Sequence, residues 1–156
     1  MTITIRSLTV ADADAVAAMS RNFHLYLQAL GDTDLYGFNR DRYLEDGFGQ
    51  DPAFRGFLAE TATGPVGYLL HCPNYDVDLA IRQVMVIDLW VEPSVRGSGT
   101  GRQLMQATAD YARSRGARRL IWAVLRGNQM AMDFYQRLGA ERIEALDWMT
   151  LPVGDW

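Results

Sequence analysis

Arg96-Gly97-Ser98-Gly99-Thr100-Gly101 stands between two segments of different periodicity. Before it lies an almost continuous apolar run, residues 84–91. After it, Leu104, Thr108, Tyr111 and Ala112 recur at helical spacing. The run predicts a buried strand and the second segment a helix, so three glycines and an arginine occupy a strand-to-helix turn. Glycine lacks a Cβ, so its backbone N–H can approach a ligand closely. A helix start adds unpaired N–H donors and the positive end of the dipole. Together these predict an anion site suited to phosphate or pyrophosphate. Taken alone, the same glycines serve equally well as a plain connector.

Spacing removes two other phosphate loops. A P-loop needs Gly-Lys followed by Ser or Thr, and the chain contains no lysine. A dinucleotide fingerprint needs G-x-G-x-x-G, but Arg102 and Leu104 stand where the third glycine would fall.

The 156 residues suit one domain, 1–156, with a substantial core. An apolar fraction of 49% argues against disorder. No apolar run is long enough to span a membrane, and the alternating N-terminus lacks a signal peptide's apolar block. With Cys72 as the single cysteine, no internal disulfide can form, and the cytoplasm is the expected compartment. Cys72 itself reads as a small core residue. Net charge is −4, unevenly spread. Residues 1–95 hold six arginines and thirteen carboxylates, a net −7; residues 96–156 hold nine arginines and six carboxylates, a net +3. The basic part contains the glycine loop, and the acidic part suits a cationic substrate, though ordinary surface charge would look the same. The overall acidity argues against a nucleic-acid partner.

In chain order, residues 2–8 alternate as a strand. Thr9 and Asp12 outline a capping box for a helix to about Leu30, stopped by Gly31. Residues 40–48 predict a second helix, 54–60 and 66–72 two strands joined at Thr63-Gly64-Pro65, and 73–76 a turn. The strand ending at Val91 and the helix closed by Gly116 follow. Residues 120–125 predict a strand, and Asn128 caps a helix closed by Gly139. Residues 143–146 and 148–152 predict two final strands.

Asn128 and Tyr135 lie seven apart in one helix, on nearly the same face. By themselves they read as a cap and a core tyrosine as readily as a site. Asp88 is the only charge in the run 84–91. A buried acid has a partner or a chemical role; here these are an arginine or the proton of an amine. His24 and His71 read as structural.

Arg96-x-x-Gly99-x-Gly101 resembles the acetyl-CoA loop of the GNAT N-acetyltransferase superfamily. Asn128-x-x-Ala131-x-x-Phe134-Tyr135-x-x-x-Gly139 resembles its second signature. Tyr43-Leu44-Glu45-Asp46-Gly47-Phe48-Gly49 resembles a stretch of the diamine (spermidine/spermine) N-acetyltransferases, a likeness that covers nearly the whole chain. The resemblance implies the acyl-CoA N-acyltransferase fold, an α/β (α+β mixed sheet) architecture with a central mixed sheet and helices on both faces. It implies acetyl-CoA as co-substrate, no metal, a small-molecule amine as acceptor and a homodimer. It assigns Leu89, Trp90, Val91, Arg96, Gly97, Ser98, Gly99, Thr100, Gly101, Arg102, Asn128, Tyr135 and Arg137 to acetyl-CoA. Tyr135 becomes the acid for the leaving thiolate, while Asp88, as the only charge in the run 84–91, is the candidate base for the acceptor. Asp88 and Trp148 become acceptor contacts, and backbone N–H near residues 89–91 meets the oxyanion.

One departure stands out: the family's Glu-Asp pair is Ile87-Asp88 here. Neighbouring strand residues face opposite sides, so Asp88 need not replace the missing glutamate. The expected function is transfer of acetyl from acetyl-CoA to a primary amine, a diamine or polyamine or an amino acid, by direct attack in a ternary complex. The alternatives are acetylation of a protein or peptide amine, and a non-catalytic acyl-CoA-binding module.

Overall fold

Chain order and sheet order coincide in the computed structural model, which describes residues 2–154. The strands are β1 (Thr4–Ser7), β2 (Arg55–Thr61), β3 (Gly64–Asp76), β4 (Ile81–Val91) and β5 (Arg119–Ile121). The first four are antiparallel, and β5 joins β4 in parallel. The helices are α1 (Ala13–Ala29), α2 (Arg40–Phe48), α3 (Thr100–Ser114) and α4 (Gln129–Arg137). The mixed sheet with helices on both faces is the architecture expected from the sequence.

Strand alternation builds the two layers. Leu58, Tyr68, Leu70 and Trp90 point to the α1 side, where they pack with Val16 and Met19 of α1 and Tyr43 of α2. Ala59, Leu69 and Val86 point the other way, onto Leu104 and Met105 of α3, with Phe134 and Tyr135 of α4 at the margin. Asp12 fastens the entry to α1. Its carboxylate accepts from the Thr9 N–H at 2.8 Å and from both terminal nitrogens of Arg6 at 2.8 Å, and Arg6 also reaches Glu60 at 3.1 Å.

Three expectations need correction. The chain does not turn at residues 73–76. β3 continues through Pro73 to Asp76, and the turn falls at residues 77–80. β2 pairs with β3 only as far as Arg55↔His71, so Pro73 lies where β3 has one neighbour and a missing N–H is tolerated. β5 covers only Arg119–Ile121 rather than 120–125, because β4 turns away from it after Met85. Residues 143–146 and 148–152 form no strands. Periodicity marks a strand only where an edge can take up its backbone groups, and β5 offers three residues. Ile143, Leu146, Trp148, Met149 and Leu151 are exposed.

Candidate active site

A single extra residue in β4 opens the site. Leu70 pairs with Asp88 but His71 pairs with Val86, so Ile87 is a bulge. The parallel ladder to β5 ends at Met85↔Ile121. Residues 86–91 and 122–125 therefore separate, and alternate β4 backbone groups lose their neighbour on that side. The gap floors a cavity of about 660 Å³, a size suited to an extended ligand. The glycine loop, the first turn of α3, one face of α4 and Phe23, Tyr26 and Leu27 of α1 complete its walls.

The glycine loop forms an anion cradle. Gly97 and Gly99 have φ of 81° and 88°, a left-handed backbone that other residues adopt at a cost. Among the described residues, the N–H groups of Gly97, Gly99, Thr100, Gly101 and Arg102 have no backbone acceptor. Arg102 and Arg137 line the cavity as neighbours, Arg102 Nη2 donating to the Arg137 carbonyl at 3.4 Å. Gly101 matters for packing instead. A Cβ there would come within 3.1 Å of the Phe134 ring, so its absence lets α4 approach α3. Free N–H donors at a helix start, two cations and a long slot fit a pyrophosphate-bearing pantetheine ligand. Those loop groups and Asn128 would hold it.

Arg96 is spent partly on the protein. Its Nε donates to the Val91 carbonyl at 2.9 Å, and its guanidinium lies 4.6 Å from the Trp90 ring centre. Asn128 caps α4, its Oδ1 accepting from the Ala131 N–H at 3.2 Å and from the Tyr26 hydroxyl at 2.9 Å. That leaves its amide N–H pair for a ligand. Ser98 is exposed, with its Oγ engaged within the loop, 2.6 Å from the Val95 carbonyl and 2.7 Å from Thr100 Oγ1.

Two titratable groups line the cavity wall. Asp88 accepts from the Tyr68 hydroxyl and, among the described residues, has no arginine partner. Burial pushes its carboxyl up to about 6, against the lowering pull of the Tyr68 hydrogen bond. Tyr135 packs on Trp122 with ring centres 4.8 Å apart. Burial, reinforced by the Asp88 charge, pushes its phenol up to about 12. The cavity thus has a carboxylate ionised at neutral pH and a phenol that keeps its proton.

Every residue the sequence assigned to the site lines this cavity except Ser98 and Trp148. Trp148 is 69% exposed. Ile87 and Asp88 both line it, Ile87 as the unpaired residue of the bulge. Phe23, Tyr26 and Leu27 were missed, since an apolar stripe on a helix reads as core. Neither histidine lines the cavity. His24 stacks on Tyr36, and His71 is buried beside Tyr111, where burial pushes its imidazole down to about 4.

Known proteins resemble this chain in sequence or in fold. A thialysine N-epsilon-acetyltransferase of Bos taurus is 32% identical over 125 residues, 74% of this chain and 73% of that protein. An L-ornithine N5-acetyltransferase of Arabidopsis thaliana is 32% identical over 94 residues, 59% of this chain and 41% of its own length. A solved structure from Bacillus halodurans shares the fold, with a TM-score of 0.78 at 22% identity over 96% of this chain and 99% of that one. The profile of the acetyltransferase (GNAT) family matches residues 20–140. On that match, and on a loop, bulge and cavity that suit it, the chain belongs to the acetyltransferase (GNAT) family.

Proposed function

We propose that this acetyltransferase carries the acetyl group of acetyl-CoA to a side-chain-like primary amine of a small molecule, by direct attack in a ternary complex. Acetyl-CoA supplies an activated thioester. The glycine loop and Asn128 hold and orient it, with its carbonyl at the splay of β4. Asp88 takes the proton that the amine must lose as its nitrogen bonds to the acetyl carbon. A β4 backbone N–H facing the splay donates to the carbonyl oxygen as negative charge develops there. When the C–S bond breaks, Tyr135 gives its proton to the sulfur. One proton leaves the amine and one reaches the thiol, so the step balances.

The observation that carries this reading is the pairing in one cavity wall of Asp88, held at about 6, with Tyr135, held at about 12. A base and an acid whose surroundings push their affinities apart support proton transfer in both directions. A module that only bound acyl-CoA would need neither.

The acceptor class rests on two further points. The two relatives above act, by their names, on side-chain amines of amino acids. Asp88 is the only carboxylate lining the cavity among the described residues, with Ile87 beside it. One acid flanked by an aliphatic wall favours a single ammonium on an apolar stem over a polyamine with several charges. A homodimer belongs to the same proposal. The exposed apolar side chains of residues 143–151 support it. Thiol release from acetyl-CoA, measured across amino acids with side-chain amines, diamines, polyamines and peptides, tests the reading. Turnover is expected with the first group at the highest kcat/KM. Release with peptides alone would overturn the acceptor class, and release with none would overturn the transfer itself.

A further inference from the structure

Tyr68 is fully buried in β3, yet its hydroxyl reaches the reactive wall of the cavity. Tyr68 pairs across the ladder with Trp90, which puts its ring on the same sheet face as Asp88, two residues before Trp90. Its O–H donates to Asp88 Oδ2. Among the described residues, Asp88 Oδ1 has no protein partner. Ser20 of α1, itself buried, also acts on the Tyr68 phenol and lowers its hold on the proton. The groups facing Asp88 are thus Tyr68 from β3 and Tyr135 from α4. Arg96, in the same cavity, is committed to Val91 and Trp90.

We propose that Tyr68 is a positioning residue for acetyl transfer: by occupying Oδ2 of Asp88 it orients the carboxylate and leaves Oδ1 as the atom that takes the acceptor's proton. Tyr68 cannot touch an acceptor itself, because none of its surface is exposed. It also keeps its own proton. Burial, then the Asp88 charge, hold its phenol well above the ordinary tyrosine value. The hydroxyl is therefore a permanent donor, and it favours the ionised carboxylate against the burial that disfavours it. The inference rests on Asp88 being the base, and the experiment separates the two.

The experiment follows kcat against pH, with both substrates saturating, in wild type, Tyr68→Phe, Ser20→Ala and Asp88→Asn. The Asp88 carboxyl is titrated directly by carbon NMR in the free proteins. Removing the Tyr68 donor should raise the Asp88 pKa by about one unit. That would move the acid limb the same way and cost about 5-fold in kcat near pH 6, with recovery as the pH rises. Ser20→Ala should move both in the same direction by less, and it decides the matter if Tyr68→Phe does not fold. An Asp88 titration unmoved in the variants, or a loss of rate equal at every pH, would make Tyr68 a packing residue and overturn the inference. If Asp88→Asn leaves kcat and its acid limb intact, the base assignment fails and takes this inference with it.

Discussion

Arg96 Nε donates to the Val91 carbonyl oxygen at 2.9 Å, tying the last residue of β4 to the first residue of the glycine loop. The same guanidinium covers Trp90 at 4.6 Å and approaches Tyr26 at 5.6 Å. The loop is thus held against the end of β4. Lysine keeps the charge but loses the planar stack and the fixed Nε–H. Arg96→Lys should weaken acetyl-CoA binding about 10-fold, from one charge-assisted hydrogen bond of about 1.5–3 kcal/mol partly replaced. Calorimetry on the free enzyme checks it; unchanged affinity would show that the tie does not order the loop.

Gly99→Asp should abolish measurable acetyl-CoA binding in a folded protein. A Cβ at Gly99 would meet nothing within 4 Å, and aspartate tolerates positive φ better than most residues. The loss would therefore come from a like charge facing the pyrophosphate. Gly99→Asn, of the same shape without the charge, should keep most of the affinity. Equal losses in both variants would assign the effect to backbone strain instead.

Ile87 is half exposed in the bulge beside Asp88. Ile87→Glu adds a second carboxylate to the acceptor wall. It should lower KM for diamines about 10-fold relative to singly charged amines. Steady-state kinetics with one of each type measures the ratio, and an unchanged ratio would move the acceptor's second charge away from Ile87.

The Arg6 guanidinium holds the buried Asp12 carboxyl below the ordinary carboxylate value. A lowered acid contributes stability that is full above its unfolded pKa, about 4, and is lost as pH falls through the folded value. Asp12→Asn should cost about 1–2 kcal/mol at pH 7, discounted because Arg6 is one-third exposed. The gap should narrow below about pH 4. Denaturant unfolding of both proteins at pH 7 and pH 3 reads it; a constant gap would remove the ion pair as the cause.

Much of this was legible in the chain because its punctuation is local. The helix at residues 40–48, the Thr9–Asp12 start of α1 and the glycine loop that opens α3 are each set by contacts within a few residues. What was not legible depends on partners far along the chain. The Ile87 bulge is a mismatch between β3 and β4 and leaves no periodicity of its own. The same mismatch shortens β5 and brings Ile87 and Asp88 into one cavity. Tyr26 looks like any apolar residue of α1 until Asn128, 102 residues later, accepts its hydroxyl. Residues 143–152 alternate like strands but find no edge to pair with.

The central claim is that Tyr135 and Asp88 move protons during acetyl transfer, and Tyr135→Phe tests it most directly. With saturating acetyl-CoA and an accepted amine, wild-type kcat should rise through pH 6 and stay level to at least pH 9. The phenol held at about 12 remains protonated throughout that range. The variant should lose about 10²–10⁴-fold in kcat, the usual worth of a general acid. Its acetyl-CoA affinity should be unchanged, since the ring stays against Trp122 and only the hydroxyl goes. A kcat equal to wild type across pH would contradict the account: Tyr135 would then be a wall of the cavity, and the leaving thiolate would take its proton from elsewhere.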